Sequence, residues 1–108
     1  MKIAVAADTT NTDAPVSMHA ARAPCYLVYN ENGELLDTIT NPYHSVERGA
    51  APRVTQLLQE YQINALVAGE FGGRFIDLLE EKSIAAVTAQ GPANKAVKDA
   101  VRSTKPVE

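Results

Sequence analysis

The pattern of apolar residues changes near position 45, and this change constrains the fold more than any other feature of the sequence. Before it, residues 25–29 and 34–40 are strand-forming runs, and the turn between them ends at Gly33, as is typical of a hairpin. After it, short apolar runs at 63–68 and 84–87 alternate with stretches of helical periodicity. Such alternation indicates parallel strands joined by right-handed crossovers, so the sequence predicts a mixed sheet.

A further strand is predicted at residues 2–7, where an apolar run ends at Asp8. Helical spacing of apolar residues predicts three helices: one through Val54, Leu57, Leu58 and Tyr61, one through Phe75, Leu78 and Leu79, and one over residues 93–102. The simplest assembly over residues 1–108 is a single α/β domain, a five-stranded mixed sheet flanked by helices, with strand 2–7 beside strand 63–68. We also expect strand 84–87 to be buried and residues 103–108 to form a loose tail.

Charge and cysteine content narrow the classes of function. The 108 residues carry 10 Lys and Arg against 13 Asp and Glu, a formal charge of −3, without a basic run, which argues against a nucleic-acid partner. The apolar stretches are too short for a signal peptide or a membrane span, so we expect no membrane partner. A single cysteine, Cys25, excludes an internal disulfide and favours a reducing, cytoplasmic location.

Ligands of open α/β sheets bind beyond the carboxyl ends of the parallel strands. Three loops leave such ends in the predicted fold: residues 8–24, 69–74 and 90–94. The second loop contains Gly69, Gly72 and Gly73 and leads from a strand into a helix. Its backbone N–H groups, with Arg74 as a counter-charge, therefore predict an anion site, and a glycine-rich turn that serves packing alone is the alternative.

The first of these loops contains His19 and Arg22, three residues apart. His19 has the chemistry of a metal ligand or a proton donor, and Arg22 that of an oxyanion contact, although a surface role is the more common outcome for either residue type. We expect His44 to lie at the opposite, amino end of the parallel strands or near the sheet edge, away from His19. Cys25 begins a strand, where a cysteine is usually a small apolar residue.

Three segments of the chain resemble one known family. They are residues 1–6, the stretch Val16-Ser17-Met18-His19-Ala20-Ala21-Arg22-Ala23-Pro24, and residues 68–74. Together they resemble the dinitrogenase iron-molybdenum cofactor biosynthesis domain family, whose motif usually reads Ser-x-His-Phe-Gly-Arg-Ala-Pro. Here Ala20 and Ala21 replace the Phe-Gly pair, which removes a position with left-handed freedom and an aromatic wall.

The resemblance implies a ribonuclease-H-like fold and a non-enzymatic carrier. Its cargo would be an anionic, molybdenum-containing sulfide cluster or a precursor, and small members with one cysteine imply a molybdenum-copper form held without thiolate ligands. The pocket implied for this chain consists of Ser17, His19, Arg22, Gly69, Gly72, Gly73 and Arg74. A cofactor-assembly or acceptor protein is the implied partner.

Two other interpretations remain open from the sequence. Asp8 and Glu70 are the carboxylates placed at the predicted crevice, and a ribonuclease-H-like hydrolase would use them with a divalent ion. Such enzymes need several acidic side chains to bind their metal ions, and only these two are available, so the pattern favours binding over catalysis. The replacement of Phe-Gly by Ala20 and Ala21 leaves a third possibility, an interaction module without a ligand.

Overall fold

The predicted strands and helices all form, with ends that lie within two residues of the expected positions. The structure, a computed structural model, describes residues 1–104, and the side chains of residues 1–102. The elements in chain order are β1 (Lys2–Ala7), β2 (Cys25–Asn30), β3 (Leu35–Thr40), α1 (Ala50–Glu60), β4 (Ala65–Ala68), α2 (Gly73–Glu81), β5 (Ala85–Thr88) and α3 (Ala93–Thr104). Because α3 continues to Thr104, residues 103 and 104 do not belong to the expected loose tail, and the rest of that expectation, residues 105–108, lies outside the described residues.

The five strands form one mixed sheet in the order β3-β2-β1-β4-β5. β1 pairs with β4, and β4 with β5, in parallel, while β2 is antiparallel to both β1 and β3. The predicted hairpin and the predicted neighbours β1 and β4 are therefore confirmed. β3 is antiparallel to β2, and β2 is antiparallel to β1, so β3 runs in the same direction as β1. The carboxyl end of β3 therefore lies at the same end of the sheet as the carboxyl ends of β1 and β4.

Helices cover both faces of this sheet. On one face, side chains of α1 and α2, such as Leu58 and Leu79, pack with Tyr26 of β2. On the other face, Val97 of α3 packs with Val5 of β1. β1 is central and alternates its side chains between the two layers, which is why it is an almost continuous apolar run. None of the helices described, up to Thr104, is long and apolar enough to cross a membrane.

The expectation that the last strand is buried is wrong. β5 lies at the edge of the sheet, where Ala85 and Thr88 are exposed and the two residues between them are half-buried. Only Ile84, directly before the strand, is buried, at 2% exposure. A short apolar run predicts that a strand forms, but the position of that strand in the sheet depends on which other strands pair with it.

Candidate functional site

A cavity of about 510 Å³ opens at the carboxyl ends of the strands, on the face covered by α1 and α2. Its lining comes from three segments: residues 18–22, residues 49–52 at the start of α1, and residues 70–72, 74 and 75. We call residues 17–24 the motif loop, residues 69–74 the glycine turn, and residues 41–49 the β3–α1 loop. Cavities of about 300–1,000 Å³ hold small ligands, and this one lies where open α/β sheets bind them.

The structure brings four of the seven expected site residues to the cavity wall. They are His19, Arg22, Gly72 and Arg74, and Glu70 lines the same cavity. Ser17, Gly69 and Gly73 do not line it, and neither do Asp8 and Cys25. Cys25 belongs to the opposite layer, beneath α3.

Ser17 and Gly69 hold the two loops together instead. The Ser17 backbone N–H donates to the Ala6 carbonyl, and the Gly69 N–H donates to the Ser17 carbonyl, each over 2.8 Å. The Ser17 hydroxyl accepts a hydrogen bond from the His19 N–H at 3.1 Å. The motif loop is thus anchored to the end of β1 and to the glycine turn immediately before the cavity begins.

The expectation for the loop around His44 is wrong in one respect. This β3–α1 loop follows the edge strand of the sheet, as expected, but it lies at the carboxyl end of the parallel strands, because β3 runs in the same direction as β1. The Arg22 guanidinium donates hydrogen bonds to the carbonyls of Val46, and of Glu47 at 3.3 Å. His44 itself is exposed and does not line the cavity.

Two helices begin at the cavity. The N-cap residues of α1 and α2 are Gly49 and Gly72, neither helix has a side-chain cap, and neither has an acidic residue in its first turn. The first N–H groups of such helices are unpaired and carry a partial positive charge. Since Pro52 has no N–H, α1 offers chiefly the N–H groups of Ala50 and Ala51. Both helix ends therefore favour an anion in the cavity.

The third helix differs, because its N-terminus is occupied by the chain itself. The N–H groups of Ala93 and Asn94 donate to the carbonyls of Ala14 and Thr12, at 2.9 and 3.0 Å. An isolated bridge between Pro15 and Pro92 holds the same segments together. Of the three loops that sequence analysis selected, residues 90–94 are thus already closed by residues 12–16.

Two buried side chains with polar groups, Asn41 and Tyr26, lie behind the motif loop and were not among the expected site residues. Asn41 is fully buried, and its amide group donates to the carbonyls of Ala21, at 3.1 Å, and Ala23, at 2.9 Å. The Tyr26 hydroxyl donates to the Ala20 carbonyl at 2.6 Å. The position of Asn41 directly after a strand was the only signal, and it does not reveal which groups the amide reaches.

The cavity wall combines positive charge with apolar surface. Arg22 and Arg74 are two guanidinium groups against the one carboxylate, that of Glu70, in the lining among the described residues. The rings of Phe71 and Phe75 are tilted by 31° with centroids 6.2 Å apart, so an aromatic wall is present although the motif lacks its phenylalanine.

Alanine at position 21 is accommodated without backbone strain. In the described part of the chain, the non-glycine residues with positive φ are Gln62 and Ser83 alone. Ala21 therefore does not adopt the left-handed conformation that glycine favours.

The described residues contain no group of three or more His, Cys, Asp or Glu side chains that could hold a metal ion. The Cys25 sulfur lies 3.4 Å from the Ala7 carbonyl oxygen and 3.2 Å from that of Thr9. Burial, and to a lesser extent the negative charge of Asp8, raises the pKa of the Cys25 thiol. The thiol is therefore protonated at neutral pH and is a poor metal ligand.

Fold and cavity together define a small α/β domain with a positively biased pocket. A sequence profile of the dinitrogenase iron-molybdenum cofactor family matches residues 1–104, and the chain belongs to this family. Membership relates the chain to the metal-cluster chemistry of that cofactor. No curated protein matches the chain.

Solved structures share the fold at low sequence identity. The orange protein from Desulfovibrio gigas, solved in its apo form, aligns with a TM-score of 0.83 and 19% identity over 99% of this chain and 92% of that chain. A Thermotoga protein provisionally named NifB aligns with a TM-score of 0.74 and 21% identity over 95% and 88%. A Methanocaldococcus jannaschii protein provisionally named a dinitrogenase aligns with a TM-score of 0.62 and 15% identity over 98% and 97%.

Proposed function

We propose that this chain carries an anionic, molybdenum-containing sulfide cluster, or a precursor of one, without acting as an enzyme. The observation that supports the proposal most is the meeting of two uncapped helix N-termini at one cavity, beside Arg22 and Arg74. Family membership supplies the chemical class of the cargo.

The residues present suit such a cargo. A thiometallate brings its own sulfide ligands, so the protein needs to supply charge, N–H donors and shape rather than metal-binding side chains. The Arg74 guanidinium has no partner within the described residues and is available to the cargo, while Arg22 keeps N–H groups beyond those bonded to Val46 and Glu47. The phenyl rings of Phe71 and Phe75 suit sulfide, which is large, polarisable and weakly hydrated.

The finer parts of the proposal follow from the family resemblance. A molybdenum-copper sulfide cluster is the specific cargo we propose, with an acceptor protein of cofactor assembly as the partner and the cytoplasm as the location. The fold likeness to the orange protein, which was solved in an apo form, is consistent with a domain that folds before it is loaded. The ribonuclease-H-like classification stays a prediction.

The hydrolase alternative has less support from the site. Glu70 lines the cavity but Asp8 does not, so the two carboxylates expected to share a divalent ion do not line one site. The alternative of an interaction module without a ligand leaves the cavity unexplained. The walls of this cavity carry Arg22, Arg74 and two uncapped helix N-termini, which such a module would not need.

The test is a titration of the purified chain with tetrathiomolybdate and copper, followed by visible absorption and by metal analysis after gel filtration. We expect a coloured protein that retains molybdenum, and an Arg74→Ala variant that retains less. Arg102→Ala is the matched control, since Arg102 lies at the end of α3 on the other face of the sheet. A colourless chain with magnesium-dependent nuclease activity would overturn the proposal.

A further inference from the structure

Asn41 is a buried amide with hydrogen bonds at both ends. It is 0% exposed and directly follows β3. Its Nδ2 group donates to the Ala21 and Ala23 carbonyls, and its Oδ1 atom accepts from the Tyr43 N–H at 2.9 Å. Its backbone N–H donates to the Pro24 carbonyl at 3.0 Å. One side chain therefore ties the motif loop to the β3–α1 loop from the core side.

Tyr26 completes this arrangement. Its hydroxyl donates to the Ala20 carbonyl at 2.6 Å, and its oxygen lies 3.4 Å from Asn41 Nδ2, whose two hydrogens serve the Ala21 and Ala23 carbonyls. Ala20 and Ala21 line the cavity, yet their carbonyl oxygens point to donors buried in the core. The negative ends of these peptide dipoles are thus kept away from the cavity.

Arg22 lines the cavity, and its guanidinium donates to the carbonyls of Val46 and Glu47, so these two acceptors of the β3–α1 loop are bonded as well. A carbonyl oxygen that faced an anion would repel it, whereas an N–H group attracts it. With these acceptors bonded elsewhere, their carbonyl oxygens do not oppose the attraction that the N-termini of α1 and α2 exert on an anion. An anion site therefore needs backbone carbonyl oxygens turned away from the ligand as well as N–H groups directed toward it.

We propose that Asn41, together with Tyr26, is a positioning residue of the anion site, which holds the motif-loop carbonyls away from the bound cargo. Neither residue lines the cavity, so neither touches the cargo. The inference rests on the proposed function, because it concerns an anion bound in this cavity.

The experiment compares tetrathiomolybdate binding by wild type, Tyr26→Phe, Asn41→Asp and Tyr29→Phe, with circular dichroism to confirm folding. Tyr26→Phe keeps the shape but leaves the Ala20 carbonyl without its donor, and we expect binding to weaken about fivefold. Asn41→Asp replaces the amide donors by a carboxylate, and we expect a loss of at least about tenfold. Tyr29→Phe is the matched control, since the Tyr29 hydroxyl is buried in the opposite layer and has no hydrogen-bond partner among the described residues.

A pH profile separates positioning from general loosening of the loop. The Asn41→Asp carboxyl is buried, and when protonated it donates one hydrogen bond to a carbonyl again. The ratio of variant to wild-type dissociation constants should therefore fall from about pH 8.5 to about pH 6.5, whereas a packing defect that does not depend on the protonation of this carboxyl leaves the ratio constant.

Each outcome bears on one claim. Equal binding by folded wild type and folded Tyr26→Phe overturns the positioning role, even where Asn41→Asp fails to fold. No uptake by wild type overturns the proposed function itself, and the positioning role with it.

Discussion

The sulfur atom of Met18 occupies the space that a side chain on Gly69 would need. A Cβ atom built on Gly69 would lie 2.5 Å from that sulfur, 3.1 Å from the Met18 Cα and 3.3 Å from the Ser17 carbonyl oxygen. Glycine at this position therefore allows the motif loop and the glycine turn to approach closely enough for the Gly69 N–H to reach Ser17. This contact sets the distance between two walls of the cavity.

Gly69→Ala should accordingly force the two loops apart. The half-exposed Met18 side chain can move, but the backbone contacts have to yield, so we expect a loss of about 1–3 kcal/mol in the free energy of unfolding. Urea unfolding measures it, and cargo uptake should fall in parallel. Gly73→Ala is the control, because a Cβ there meets nothing within 4 Å and alanine favours a helix. Equal stability of the two variants would contradict the close-approach argument.

The two arginines of the cavity should behave differently when removed. Arg74→Ala takes away a guanidinium without a protein partner in the described residues, so we expect about tenfold weaker binding of tetrathiomolybdate at unchanged stability. Arg22→Ala removes the donors to Val46 and Glu47 as well, so it should weaken binding and lower stability by about 1 kcal/mol. Arg22→Glu should bind more weakly still because it repels the anion. Thermal unfolding beside the titration distinguishes the variants, and uptake that is identical in all of them would remove both arginines from the site.

Glu70 is the residue whose substitution best separates the carrier from the hydrolase. It places a carboxylate in a cavity proposed to hold an anion, so Glu70→Gln should strengthen cargo binding about threefold. A metal-dependent hydrolase would lose activity through the same change. Asp8→Asn, outside the cavity, should leave uptake unaltered. Weaker cargo binding by Glu70→Gln would count against the carrier.

Cys25→Ser should still take up the cluster. The thiol is buried in the layer opposite the cavity, and its raised pKa keeps it protonated. Metal analysis of the loaded variant measures retained molybdenum, which we expect to match wild type. Loss of molybdenum from a correctly folded variant would mean that the cargo is anchored through sulfur after all.

Stability should decline in alkaline solution. Burial raises the pKa of Cys25, Tyr26 and Tyr29 in the folded chain, with neighbouring charge as a smaller cause for the first two. The unfolded chain then releases protons at a lower pH than the folded one, so the stability held below about pH 9 is lost as pH rises further. Tyr29→Phe should flatten this decline and raise stability at neutral pH by about 1 kcal/mol, because the buried Tyr29 hydroxyl has no partner in the part of the chain that the structure describes. Denaturant midpoints between neutral and alkaline pH provide the measurement.

The sequence was sufficient for the elements and the sheet, because periodicity reports which side of an element is buried. It predicted that His19 and Arg74 lie at the same end of the sheet, because both follow strands that run in the same direction, and both residues line the cavity. The loop of His44 was expected at the amino end of the parallel strands or near the sheet edge; it follows the edge strand, but at the carboxyl end, because two successive antiparallel pairings give β3 the direction of β1.

The positioning roles of Ser17 and Asn41 were beyond sequence reasoning for a different reason. Their importance depends on hydrogen bonds to backbone groups such as the carbonyls of Ala21 and Ala23. Backbone groups are the same at every position, so composition and spacing do not reveal which of them a side chain will reach. The closure of residues 90–94 by residues 12–16 was hidden in the same way.

The uncapped N-termini of α1 and α2 affect how well this pocket tolerates amino-acid substitutions. A donor that belongs to the main chain survives every replacement of its own side chain except proline, so most mutations leave this share of the attraction intact. Arg22 and Arg74 can then vary one at a time over generations without abolishing the pocket. Selection should act instead against new acidic residues in the first turns of these helices, where each would compete with the cargo as an internal anion.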